Sequence, residues 1–168
     1  VASDTDFYRL EQTNPDTAND GMKYNFKSLS QFSSVRNRKS ASTLNLLGFK
    51  STGTNLNLRY PLNTILMDSI FNIRYNINDS EPSKFGFNPL NKDLPKLTSN
   101  TYALPPAIFV KNGYADVKLT PDNIIANQTQ FVNQLSGQHT TFYSQFYVAH
   151  ETTNATITGS QNRVTLTK

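Results

Sequence analysis

His139 and His150 are the only imidazoles in the chain, and with no cysteine present they exhaust its strong transition-metal donors. Neither has a second histidine or a carboxylate at ligand spacing, so both are expected to be structural and no metal site is expected. His150 closes the strand-like run Tyr143-Ser-Gln-Phe-Tyr-Val-Ala-His150, which makes it a partly buried sheet residue. The close carboxylate pairs are Asp4/Asp6 and Asp79/Glu81. Glycoside chemistry needs one desolvated acid in such a pair. These four lie in polar, turn-like or terminal segments, where hydration holds a carboxyl near its ordinary pKa, and they read as solvated loop charges. No nucleophile elbow, phosphate-cradling glycine loop or zinc-helix pattern is present. No catalytic residue, metal or cofactor is therefore expected in this segment.

Arg36-Asn37-Arg38-Lys39 is the densest basic patch, and it falls at the expected start of a helix. Backbone N–H groups there favour an anion, and guanidiniums grip phosphate oxygens in pairs. Arg36, Arg38 and Lys39 are thus the candidate contacts for an anionic polymer or lipid headgroup, against the plainer reading of a solvated first turn. Nucleic acid is not expected, because no stacking-aromatic motif accompanies the basic residues. The net charge of +4, from 16 basic and 12 acidic residues, suits an anionic envelope equally well. Asn78-Asp-Ser80, Asn127-Gln-Thr129 and Asn154-Ala-Thr156 match glycosylation acceptors, as chance allows in so Asn-rich a chain.

The elements that must position these residues follow from periodicity and punctuation. Asp6–Glu11 reads as a strand, Asn14–Gly21 as a turn-rich loop, and Met22, Tyr24 and Phe26 as one face of a second strand reaching loosely to Phe32. Ser33 and Ser34 are candidate caps of a helix running to Leu47 and stopped by Gly48. Pro61 opens a second helix with a stripe of Leu62, Ile65, Leu66 and Ile70, feeding directly into a strand with Phe71, Ile73, Tyr75 and Ile77 on one face. Asp79–Pro95 reads as an irregular polar loop. Ala107–Lys111 and Tyr114–Leu119 read as strands joined by an Asn112-Gly113 hairpin. Thr120, Pro121 and Asp122 open a third helix, with Ile124, Ile125, Phe131, Val132 and Leu135 toward the core and Gly137 at its end. Thr140–Lys168 reads as two or three antiparallel strands with a turn at Thr158–Gln161.

The fold class is therefore α+β, one domain over 1–168, with a mixed, mostly antiparallel sheet and about three helices. A hydrophobic share of 36% supports a core, while a charged share of only 17% speaks against a cytosolic enzyme surface. The longest apolar run, Ala103–Val110, contains two prolines and falls short of the roughly 18–20 residues that span a bilayer. Val1-Ala-Ser-Asp-Thr-Asp-Phe lacks the marks of a leader, so the segment is expected to belong to a longer chain that supplies its anchor.

Read in order, several short signatures resemble the bacterial YfhO-like membrane protein family. They are Asp6-Phe-Tyr-Arg9, Asn19-Asp20, Gln31-Phe-Ser-Ser34 where the family has Tyr-Ser-Ser, and Leu47-Gly48. Ile70-Phe-Asn-Ile-Arg-Tyr-Asn-Ile77, Asn100-Thr-Tyr-Ala-Leu-Pro-Pro-Ala-Ile-Phe109 and Asn127-Gln-Thr-Gln-Phe-Val-Asn-Gln-Leu-Ser-Gly137 continue the series. Phe32, Arg74 and Pro106-Ala107 depart from the family's Tyr, Lys and Leu-Gly. The resemblance implies a polytopic membrane protein of Gram-positive bacteria, similar to glycosyltransferases that use polyprenyl-phosphate sugars and linked to glycosylation of lipoteichoic acid or a related envelope polymer. It implies further that this segment is an extracytoplasmic domain at the cell membrane, partnered by the membrane-embedded remainder of its own chain. The catalytic carboxylate would lie elsewhere, between early membrane helices. The segment would then be an accessory, non-catalytic domain of a membrane glycosyltransferase. A pure scaffold, or a secreted carbohydrate-binding or adhesive module, remains the alternative.

Overall fold

The computed structural model describes residues 4–35, 37–52, 57–60, 63–79, 84–94, 96–143, 156–160 and 163–167. Its content is mixed α and β in a single small domain, as the periodicities predict. The four-stranded sheet has the order β1 (Arg9–Gln12), β5 (Ile73–Ile77), β7 (Leu97–Asn100), β6 (Phe87–Pro89). β1 runs parallel to β5 and the other pairs are antiparallel. A second sheet sets β4 (Asn57–Arg59) between β2 (Gln31–Phe32) and β3 (Lys50–Thr52), and β8 (Thr156–Ser160) pairs with β9 (Arg163–Thr167) as a hairpin. The helices are α1 (Asp20–Lys23), α2 (Arg38–Leu46), α3 (Ile65–Ile70) and α4 (Ile124–Ser136).

The core gathers where these layers meet. Leu47, Phe49, Leu58, Tyr60, Met67, Ile73 and Phe87 are buried together, with Phe131 and Val132 of α4 packed against them. Full burial of each large side chain contributes about 2 kcal/mol. Phe49 meets Phe71 edge to face at 5.0 Å. Gly48, which turns the chain from α2 into this core, has φ +93°, a conformation that residues with a side chain rarely adopt. A Cβ there would stand 3.0 Å from Ile124 Cγ2 and 3.2 Å from Asn63 Oδ1. Gly48→Ala is expected to lower stability by about 2 kcal/mol, read as a shifted denaturation midpoint at unchanged slope.

Several expectations are corrected. Met22–Phe26 is not a strand but the end of α1 and the turn after it. The Asp20 carboxylate accepts the N–H groups of Asp16 and Thr17, Asn25 takes φ +57°, and Phe26 N–H reaches back to Gly21 O, leaving Met22 81% exposed. The cap of α2 is Asn37, whose Oδ1 accepts Ser40 N–H at 3.1 Å, rather than Ser33 or Ser34. Thr64 caps α3; Pro61 and Leu62 lie outside the described residues. Asn72, at φ +54°, turns α3 into β5 within two residues.

The Asn112-Gly113 hairpin is absent. A two-residue type I′ turn needs positive φ at both positions, and neither residue has it. Lys111 N–H is instead taken by Leu135 O at the end of α4, and Asn112–Asp116 forms a 3₁₀ turn. β6 forms inside the Asp79–Pro95 stretch expected as loop, β7 lies just beyond it, and Pro89 is tolerated because β6 is an edge strand. The C-terminal hairpin is present, with Ser160 opposite Arg163, so Thr158, Gly159 and Ser160 belong to β8 rather than to the expected turn.

Candidate functional site

α4 presents two unlike faces, and the groove it floors depends on the hidden one. Asn127 and Gln128 are buried, while Ile124 and Ile125, expected to face the core, are 43% and 41% exposed. The reason lies in α2, whose last carbonyls lack helical partners. Gln128 Nε2 donates to Leu47 O at 2.9 Å and Asn127 Nδ2 to Leu46 O at 2.9 Å. Gln128 Nε2 also donates to Asn63 Oδ1 at 3.0 Å, and Gln128 Oε1 accepts from Thr64 Oγ1 at 2.8 Å. Two amides thus bolt α4 to the end of α2 and the start of α3.

The opposite face carries Ile125, Thr129, Gln130, Asn133 and Gln134, and with its flanks it bounds a groove of roughly 960 Å³. That lies at the upper end of small-molecule sites, roughly 300–1,000 Å³. One wall is Lys111–Gly113, pressed so close that a Cβ on Gly113 would stand 2.7 Å from Gln134 Oε1. The other is the segment from Gln138 to Tyr143. Asn133 holds it in place, donating to Thr140 O at 3.0 Å and accepting Thr140 N–H at 3.1 Å. Gly137, at φ +70°, makes the helix end that allows this return. Among the described residues lining the groove none is acidic, Lys111 is the one lysine or arginine, and Thr, Asn and Gln predominate. Such walls supply neutral donors and acceptors in both senses, the recognition chemistry of a polyhydroxylated ligand. His139 and Tyr143 add two rings.

A second polar cluster lies inside. Asp68 on α3 is fully buried; it accepts from Tyr60 Oη at 3.0 and 3.1 Å and from Lys84 Nζ. Lys84 Nζ also donates to Tyr60 Oη at 2.8 Å, as does Asn76 Nδ2 at 3.3 Å. Burial pushes the Asp68 carboxyl up to about 6, against the opposing pull of the Lys84 charge and the hydrogen bonds from Lys84 and Tyr60. Burial likewise raises Tyr60 far above its ordinary range and lowers Lys84, whose partner Asp68 resists the fall. The residue types are those of acid–base catalysis, but none of the three lines the groove. The cluster ties α3 to the ends of β4, β5 and β6.

Glu11, also fully buried, does the same for the 28–30 loop. It accepts from Leu29 N–H and from the hydroxyls of Ser28 and Ser30, each at 2.9 Å. Burial raises its pKa, and those hydrogen bonds limit the rise.

The residues singled out from the sequence are dispersed. Arg38 and Lys39 are exposed on the first turn of α2, with no acidic residue in that turn, and Arg36 lies outside the described residues. Asp4 is not a solvated loop charge. It meets Arg74 Nη1 at 2.8 Å and accepts from Tyr75 Oη at 2.8 Å. Its burial acts upward on the pKa, but the bonds from Tyr75, Arg74 and the Asp6 N–H outweigh it and leave the pKa lowered. Asp6 is 74% exposed at the side chain, 3.4 Å from Arg74. Asp79 is exposed, and Glu81, His150 and Asn154 lie outside the described residues. His139 is exposed on the groove rather than packed in the fold. Asn78 and Asn127 are buried, which removes them as glycosylation acceptors.

Among the described residues no group of His, Asp and Glu could hold a metal ion, and no helix is long and apolar enough to cross a membrane. No curated protein and no solved structure matches the chain. Residues 1–168 match throughout the family described as bacterial membrane protein YfhO, the family its ordered signatures resemble. A single match spanning every element from β1 to β9 settles its kinship: the chain belongs to the YfhO family of bacterial membrane proteins.

Proposed function

We propose that this chain is a non-catalytic recognition domain of a membrane glycosyltransferase-like protein, acting on the outer side of the membrane and seating sugar units of an envelope polymer in the groove beside α4. The observation that carries this reading is the groove, about 960 Å³, walled by Thr, Asn and Gln and, among the described residues, without a carboxylate. Family membership supplies the membrane context. A lipoteichoic-type polymer, with sugars along a phosphate-bearing backbone, suits the combination of a neutral groove and the exposed cations Arg38 and Lys39. Arg36 would complete that anionic contact. Exposed charge contacts contribute roughly 1 kcal/mol or less each and are screened by salt, so the groove supplies selectivity and the cations supply reach.

The test is titration of a glycosylated lipoteichoic acid into the chain, followed by amide NMR. Shifts should concentrate in 125–143. Gln130→Ala/Gln134→Ala should weaken binding about tenfold, as two lost hydrogen bonds imply. Arg36→Ala/Arg38→Ala/Lys39→Ala should weaken it a few-fold at low salt and little at high salt. A polymer stripped of its sugars that binds equally well would sink the reading of the groove.

A further inference from the structure

One stretch of surface is apolar without being covered. From Leu104 to Lys111 the chain forms a ribbon fixed at its two ends, where Leu104 N–H donates to Ser69 O at 2.9 Å and Lys111 N–H to Leu135 O at 2.8 Å. Every residue from 104 to 111 is exposed. Phe109 is fully open to solvent, and Ile108 and Val110 keep 43% and 41% of their surface exposed. Pro105-Pro106 fixes two φ angles and removes two donors, which holds the ribbon extended and makes it a poor partner for an added strand. At the Leu104 end the apolar surface broadens. Tyr102 stacks on Phe85 with ring centroids 6.0 Å apart and planes 17° apart, and both rings are more than half exposed.

The charge pattern narrows what could cover this surface. No acidic residue occurs from Leu94 to Ala115, whereas Lys96 and Lys111 do. Aromatic rings, aliphatic tips and lysines without acids form the composition that settles at a headgroup boundary. There the rings lie at headgroup depth, the aliphatic groups reach the acyl chains and the cations meet anionic lipid. The chain also belongs to a family of membrane proteins.

From these features we infer that the Tyr102–Lys111 ribbon, with Phe85 beside Tyr102, is a docking surface for an anionic lipid bilayer, with Phe109 as its deepest-reaching side chain. Lys111 ends the ribbon and also walls the groove, so docking would hold the groove mouth close to the lipid surface. Vesicle binding does not depend on the glycan reading and can stand if that reading fails.

The test is flotation of the chain with vesicles of phosphatidylglycerol and phosphatidylcholine, or of phosphatidylcholine alone. The wild type should prefer the anionic vesicles by about tenfold. Ile108→Ser/Phe109→Ser should reduce that binding about tenfold or more, and Phe109→Ser alone should reduce it several-fold while leaving the thermal midpoint unchanged, because Phe109 is already fully exposed. Lys111→Gln should reduce it about fivefold on anionic vesicles alone. Equal flotation of wild type and the double variant would overturn the inference, as would no flotation on either vesicle. A concentration-dependent dimer that Phe109→Ser abolishes, without vesicle binding, would assign the surface to a second copy of the chain instead.

Discussion

Lys84→Met is expected to lower unfolding free energy little below about pH 6, and above it by about 1.4 kcal/mol for each pH unit until the variant's own Asp68 ionises. Removing one partner of a buried pair leaves the other charge uncompensated, which costs more than the pair itself contributes. Asp68 is fully buried, so once Lys84 is gone its carboxylate keeps, among the described residues, only Tyr60 Oη as donor. The sign follows from linkage. In the wild type the folded carboxyl is raised from 3.8 to about 6, so folding takes up protons between those values, and this group's contribution declines as pH rises through them. The variant loses the charge and hydrogen bond that held the carboxyl down, so its value moves above about 6 and ionisation becomes more costly in the range where the wild type is already ionised. Below about 6 both proteins carry a neutral Asp68 and the two stability curves converge. Denaturant melts at several pH values test this. A deficit constant from acid to neutral pH would mean that Lys84 acts through packing on Phe87, whose ring lies 4.8 Å from its ammonium, rather than through charge.

Gln128→Leu is the second large effect, and it runs against the pattern by which a helix is ordinarily improved. Leucine continues an apolar stripe, has a better helix propensity and nearly the same volume. Here it would leave Thr64 Oγ1 without the acceptor it has now and take one of two side-chain donors from Leu47 O, the other being Asn63 Nδ2. A group left without its partner costs about 1–3 kcal/mol, and here Thr64 Oγ1 is half-buried while Leu47 O keeps Asn63 Nδ2. The expected loss is about 2 kcal/mol, read from the denaturation midpoint. Groove amides of α4 should exchange faster with solvent than those of β5, because the helix loses a bolt while the sheet keeps its ladder. Unchanged stability would show that the amide seam is incidental to docking.

Both residues show where sequence reading succeeded and where it failed. α2, α3, β1, β5 and the end of α4 at Gly137 were legible because their signals are local, a period or a glycine, although the caps that start α2 and α3 are Asn37 and Thr64 rather than the residues expected. α4 itself was found, but its orientation was not. Ile124 and Ile125 obey the rule that apolar residues face inward, and that rule lost to the carbonyls at Leu46 and Leu47, whose need for donors is set by an element about eighty residues away. Asp68 carried a readable hint, one acid inside the run Ile65-Leu-Met-Asp-Ser-Ile70, yet its partners Tyr60 and Lys84 come from separate segments. The alternation Met22, Tyr24, Phe26 misled because Asp20 can nail a turn shut and Asn25 can turn left-handed. The groove was invisible because Asn and Gln look alike in a chain full of them. Only the fold separates buried Asn127 and Gln128 from the solvent-facing Gln130 and Gln134.

The parallel seam between β1 and β5 carries a consequence in time. Arg9 pairs with Ile73, and its guanidinium reaches Phe71 O across 62 residues at 2.6 Å. The first strand therefore has no neighbour in its sheet until the chain has passed Ile77, and the whole of α1, α2 and α3 must exist before it can be placed. α4 waits longer, since the carbonyls that receive its amides lie 81 residues upstream. Closing loops of that length takes entropy before any contact repays it, and topologies built on such contacts are slow folders. During synthesis the central segment around Phe49, Met67 and Ile73 can collapse first, with the two ends of the chain joining it afterwards. The groove, made from the last described helix and the segment behind it, is then among the final surfaces to take shape.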